Sequence, residues 1–63
     1  MQLLTALHAA GYTVVDLYER VNRKYAIDYQ KVAKYCRCFD RGTFKKEVWE
    51  RIDECLREME VNW

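Results

Sequence analysis

Residues 13–38 read TVVDLYERVNRKYAIDYQKVAKYCRC, and this stretch decides the fold. Thr13-Val14-Val15-Asp16 has the spacing of a capping box, with Asp16 in the place usually held by Glu or Gln. Val14, Leu17, Tyr18 and Val21 follow at helical spacing and form a stripe to bury, while Asp16, Glu19 and Arg20 point outward. Asn22 is a reasonable stop, so the spacing predicts a helix over 13–22. Asp28 is a candidate N-cap for another helix over 28–39, with Val32, Tyr35, Cys36 and Phe39 inward. Between them Arg23–Ile27 reads as loop, or as a continuation of the first helix through Lys24, with Ile27 plugged into the core. Two successive helices with a short joint, the second carrying amide and basic side chains on one face, are the sequence form of a helix-turn-helix.

Working outward, Leu3, Leu4, Leu7 and Ala10 fall at helical spacing, and Gly11 stands where a C-terminal glycine stop belongs. A helix is expected over 2–10, with His8 off its apolar stripe. On the far side, Asp40-Arg41-Gly42 reads as a turn and Thr43 as the cap of a last helix over 43–60. Phe44, Val48, Trp49, Ile52, Cys55, Leu56 and Met59 give it a broad apolar stripe, so Trp49 is expected to be buried. Met59, Val61 and Trp63 have little chain left to pack on; either a second copy of the protein covers them, or Trp63 folds back or frays. The whole is expected to be all-α: one four-helix domain in a chain of 63 residues, near the lower limit for an unstapled core. Absent proline, two glycines and nine aromatics favour helices with brief joints over a sandwich or barrel.

Composition narrows the function classes. No apolar run approaches the ~20 residues of a membrane span, and the start lacks a secretory pattern, so a cytoplasmic location is expected. Cys36, Cys38 and Cys55 lack C-x2-C spacing, and His8 is the only histidine. No metal site and no cofactor are expected; Cys36 and Cys55 read as small buried hydrophobes and Cys38 as a free thiol. An odd cysteine count also argues against a disulfide framework. No Gly-rich phosphate loop or oriented nucleophile set is present, and the chain does not read as an enzyme.

Charge is uneven along the chain. Residues 1–42 hold seven basic and four acidic side chains, +3, and residues 43–63 hold four and six, −2. The positive charge lies between Arg20 and Arg41. On the 28–39 helix, Gln30, Lys34 and Arg37 lie at i, i+4 and i+7, flanked by Tyr29, Lys31 and Ala33 on the outer arc. That is the chemistry of a major-groove reader: an amide able to pair with adenine, cations for guanine or phosphate, and small residues for close approach. Arg23, Lys24 and Arg41 flank it as further DNA-binding candidates.

Ala10-Gly11-Tyr12-Thr13, Leu17, Val21, Ile27-Asp28, Val32, Lys34, Arg41-Gly42, and then Val48, Ile52 and Leu56 follow in an order that resembles the lambda-repressor-like (Cro/repressor, XRE-type) helix-turn-helix family. The resemblance implies that the 28–39 helix enters the major groove, that the 13–22 helix lies across the backbone, and that paired domains read two half-sites. By position it turns Tyr29, Gln30, Lys31, Lys34 and Arg37 toward DNA. The pattern departs from the family at Val14, where a phosphate-anchoring Gln is usual, at the bulky Tyr18, at the longer joint around Arg23-Lys24-Tyr25, and at Ala33. The first expectation is therefore a sequence-specific double-stranded DNA-binding protein, a small dimeric repressor of phage or bacterial mobile-element type that occludes a promoter. The second is a protein-interaction module or inhibitor of a host enzyme on the same scaffold, with Val14, Tyr18 and Trp63 in the contact.

Overall fold

The structure is a computed structural model and describes residues 2–38 and 41–63. It is all-helical: α1 spans Leu3–Ala9, α2 Val14–Tyr25, α3 Tyr29–Cys38 and α4 Lys46–Glu58, with a single 3-10 turn over Arg41–Thr43 and no strand among the described residues. Phe39, expected on the inward stripe of α3, and Asp40 of the expected turn lie outside the described residues. Among the described residues no helix is long and apolar enough to cross a membrane.

Each helix end has a local cause. Thr13 is extended; its Oγ1 accepts from the Asp16 N–H at 3.2 Å, and Asp16 Oδ2 accepts from the Thr13 N–H at 2.8 Å, which closes the capping box. Asp28 caps α3 as its sequence position suggests, its Oδ1 accepting from the Lys31 N–H at 3.0 Å. α1 ends in a Schellman motif, with the Tyr12 N–H donating to the Leu7 carbonyl and the Gly11 N–H to that of His8, and Gly11 at φ +88°.

The helix bounds depart most from the expected ones at the end of α2, where the continuation left open through Lys24 is the one found, and at the start of α4. α2 runs on through Tyr25, so the joint to α3 is Ala26, Ile27 and Asp28 alone, and the supposed extra length around Arg23-Lys24-Tyr25 is absorbed as helix. The cause is tertiary. The Tyr25 hydroxyl bonds Glu54, Lys24 Nζ lies 3.0 Å from Glu54 and 2.9 Å from Glu58, and the Arg51 guanidinium lies 4.8 Å from the Tyr25 ring centre. Ala26 then stops the helix in the left-handed region at φ 55°, and Ile27 is buried as expected. Thr43 does not cap the last helix: Lys45 holds the N-cap position without a side-chain bond, and α4 starts at Lys46. The residues between carry Phe44 to the ring of Tyr35, edge-on at 6.1 Å between centroids.

The core joins Leu3, Ala6 and Leu7 of α1 with Leu17 and Val21 of α2, Val32, Tyr35 and Cys36 of α3, and Ile52, Cys55 and Leu56 of α4. α2 packs on both α3 and α4, and α1 packs on α3. Ala10, assigned to the α1 stripe, is exposed, and Ala6 takes its place. Trp49 is half-buried rather than enclosed, because its ring carries the Arg41 guanidinium at 4.6 Å from the ring centre.

The chain beyond α4 also departs from expectation. The Val61 N–H donates to the Leu56 carbonyl and the Glu60 N–H to that of Arg57, a second Schellman motif. It folds the tail back on its own helix, so Met59 and Val61 are buried within the monomer. Their apolar surface is already covered without a second copy, and only Trp63 of the three stays half-exposed. The motif places Glu60, not glycine, at φ 61°. A left-handed residue with a Cβ is strained by ~1 kcal/mol. Replacing the exposed Glu60 by Gly is expected to raise the midpoint of urea or thermal unfolding, by roughly 0.5–1 kcal/mol of stability; an unchanged or lowered midpoint counts against the strain.

Candidate nucleic-acid interface

The capped start at Asp28 fixes where α3 begins, and the burial of Val32, Tyr35 and Cys36 fixes which way it faces. With ~100° of turn per residue, Gln30, Lys34, Arg37 and Cys38 then project outward. All four are exposed, and with Tyr29 they rim a shallow groove on the helix surface. Ala33 forms its floor; it is buried, which corrects its expected place on the outer arc. Tyr29 keeps 40% of its surface exposed and rests edge-on against Tyr18 of α2, with ring centroids 5.5 Å apart. Lys31 is exposed but lies round the helix, outside this groove.

The basic window separates into two groups. Lys24 is held by Glu54 and Glu58 of α4, whose carboxylates push its pKa far up, and the lysine with the Tyr25 hydroxyl holds Glu54 below the usual carboxylate range. Arg41 is held by Asp53 at 2.9 Å and by the Tyr35 hydroxyl at 3.3 Å. The charge of these two candidates is met by carboxylates within the protein. Arg20 lies 3.9 Å from Glu58. Among the described residues no ion pair engages Arg23, Lys31, Lys34 or Arg37. Arg23 stands apart from the α3 groove, in a depression with Arg20, Glu19, Asp16 and Met59. Of the expected contacts the structure therefore brings together Tyr29, Gln30, Lys34 and Arg37.

One exposed apolar residue was not foreseen. Val15, 48% exposed, lies one turn from Tyr18, whereas Val14, named for a protein contact, is buried. Its position off the α2 apolar stripe was the available signal. Cys38, read as a free thiol, is exposed, and four residues after Lys34 it walls the α3 groove. No family model matches the chain, and comparisons with curated proteins and with solved structures give no match.

Behind the outer face, α3 buries two titratable groups. Desolvation raises the Cys36 thiol from its ordinary 9.0 to about 11. Desolvation, then the hydrogen bond to Asp53, raises the Tyr35 phenol from 10.0 to about 12. The folded state therefore holds these protons more tightly than the unfolded chain. The stability this confers is complete below pH 9 and is lost as pH climbs from 9 through about 12. Urea midpoints are expected to be level from neutral pH to 9 and to fall above it, with the first part of the fall, to which the buried Cys55 thiol also contributes, reduced in Cys36→Ala. A midpoint flat to pH 11 would show that Cys36 is accessible to water. Cys38 is exposed, so it is expected to react first with a thiol reagent at neutral pH.

Proposed function

We propose that the protein binds duplex DNA through the outer face of α3 and acts as a small sequence-specific repressor, with α2 and α3 forming a helix-turn-helix. One observation carries this reading. Gln30, Lys34 and Arg37 share an exposed face that bears no carboxylate, and no internal ion pair engages their cations among the described residues. Any solvated helix has a polar face, but α4 pairs cations with acids four residues away, Arg51 with Glu47 at 2.7 Å and Lys46 with Glu50 at 3.9 Å. The three-residue joint Ala26–Asp28 supports the same reading, being the length a helix-turn-helix uses. Gln30 would pair with a base edge, Arg37 and Lys34 with guanine or phosphate, and Tyr29 and Ala33 would allow close approach. Two copies on two half-sites would occlude a promoter, and the dimer contact would fall outside the buried Met59 and Val61.

A second reading rests on a separate observation. Val15 and Tyr29 are the large apolar side chains left exposed among the described residues, and Tyr18 lies against Tyr29. That seam between α2 and α3 would suit a protein partner. The two readings separate by salt. Phosphate contacts by Lys31, Lys34 and Arg37 give a slope of log affinity on log salt of roughly −3, from −0.9 per neutralised phosphate, whereas apolar docking gives a slope near zero.

Selection from random duplex DNA at ~150 mM salt is the direct test. An enriched half-site is expected, in two copies if the reader is a dimer. Gln30→Ala with Lys34→Ala is expected to abolish the preference for the enriched sequence while leaving the thermal midpoint intact, since both side chains are exposed. Unchanged affinity of the double variant for that sequence would remove α3 as the reader.

A further inference from the structure

Tyr35 of α3 and Asp53 of α4 meet inside the protein. The Tyr35 hydroxyl donates to Asp53 Oδ1 at 2.6 Å, and Arg41 Nη2 donates to Asp53 Oδ2 at 2.9 Å. Arg41 Nε also donates to the Tyr35 oxygen at 3.3 Å, which closes a ring of three side chains. The Arg41 guanidinium lies over Trp49, so its plane is held from below as well as from its edge. Tyr35 is wholly buried and stands next to Lys34 and two residues before Arg37. Within one helical turn the backbone is stiff, so whatever fixes the Tyr35 ring also fixes the direction in which Lys34 and Arg37 leave the helix.

We infer that Tyr35, Asp53 and Arg41 form a positioning unit for the outer face of α3, and that Arg41 acts through this unit rather than by contact with phosphate. The inference rests on the reading of α3 as a DNA-binding face. The sequence places Arg41 with the DNA-contacting cations; the geometry commits its fork to a carboxylate 4% exposed. A bidentate contact to a base tolerates little rotation of the helix that carries it, and an apolar packing contact at position 35 would let α3 turn about its axis. A directed bond from Tyr35 to a carboxylate that Arg41 holds in place does not.

The test compares Arg41→Ala, Tyr35→Phe and the double variant, using the duplex enriched from the random pool and a scrambled duplex of equal length. Positioning predicts that each single variant loses about tenfold of the preference for the enriched duplex, the discrimination that one good base contact supplies. The salt slope is expected to stay unchanged, and the double variant to lose no more than either single one. Arg41→Lys, which keeps the charge but not the fork, is expected to lose the preference too, and it replaces Arg41→Ala if that variant does not fold. The inference is overturned if Arg41→Ala weakens both duplexes equally and cuts the salt slope by about one while Tyr35→Phe is silent, since that marks a phosphate contact.

The unit can also be judged without DNA. Tyr35→Phe alters no surface atom, yet it is expected to shift the backbone amide resonances of Lys34 and Arg37. If the folded wild type prefers no duplex, the functional reading falls, while shifted amides keep the positioning unit. Unmoved amides overturn the unit whether or not the protein binds DNA.

Discussion

The carboxylate of Asp53 is the constraint on which the rest of this small fold depends. A buried carboxylate is costly unless every lone pair that faces inward is answered. Here Tyr35 answers one oxygen and Arg41 the other. Satisfying it draws together α3, the 3-10 turn and α4, three elements that are otherwise joined by short connections. It also explains why Trp49 is left half-exposed: Arg41 reaches the carboxylate across the indole face, and that face must lie open to carry it. A leucine at position 53 would be satisfied by any apolar neighbour and would not specify one arrangement of α3 on α4.

A second group of contacts governs the other side of α4. Tyr25 and Lys24 of α2 meet Glu54 and Glu58, and Arg51 covers the Tyr25 ring. These groups are substantially exposed, so each pair adds little stability by itself. Their effect is on geometry. They favour continuation of α2 for a further turn, which shortens the joint to α3 and forces the left-handed turn at Ala26. With α4 held by α2 on one side and by Tyr35 on the other, α3 has one orientation in which Val32, Tyr35 and Cys36 are all buried, and that orientation turns Gln30, Lys34 and Arg37 to solvent.

What the sequence revealed and what it withheld divide by distance along the chain. The capping box at Thr13, the cap at Asp28 and the glycine stop at Gly11 are bonds between residues three to five apart, and all three were legible. So were the inward stripe of α3, within the described residues, and its exposed cations. The end of α2 was legible only as one of two alternatives, the continuation through Lys24, because the contact that favours it comes from Glu54, 29 residues from Tyr25. The tail was less so: a fold-back was open for Trp63 alone, and Glu60 in the left-handed region has no glycine to announce the turn that buries Met59 and Val61. The same rule governs the candidate site. Lys34 and Arg37 could be read from helical spacing, whereas Lys24 and Arg41 look like their equals until Glu58, 34 residues away, and Asp53, 12 away, are placed beside them.

That division of the cations bears on how the protein would act. The net charge is only +1, and the acidic side chains of α4 lie within one small molecule of the basic face. At physiological salt the field of such a molecule decays over ~8 Å, so it exerts little pull on a polyanion at a distance. Attraction would arise only when α3 is already near its target, from cations that no acid in the protein has neutralised. A reader of this kind gains little from loose, sequence-blind association and depends on how well its side chains meet the groove. For such a reader the seating of α3 on Asp53 would carry functional weight: where electrostatic capture is weak, affinity and specificity would both rest on the angle at which one helix is held.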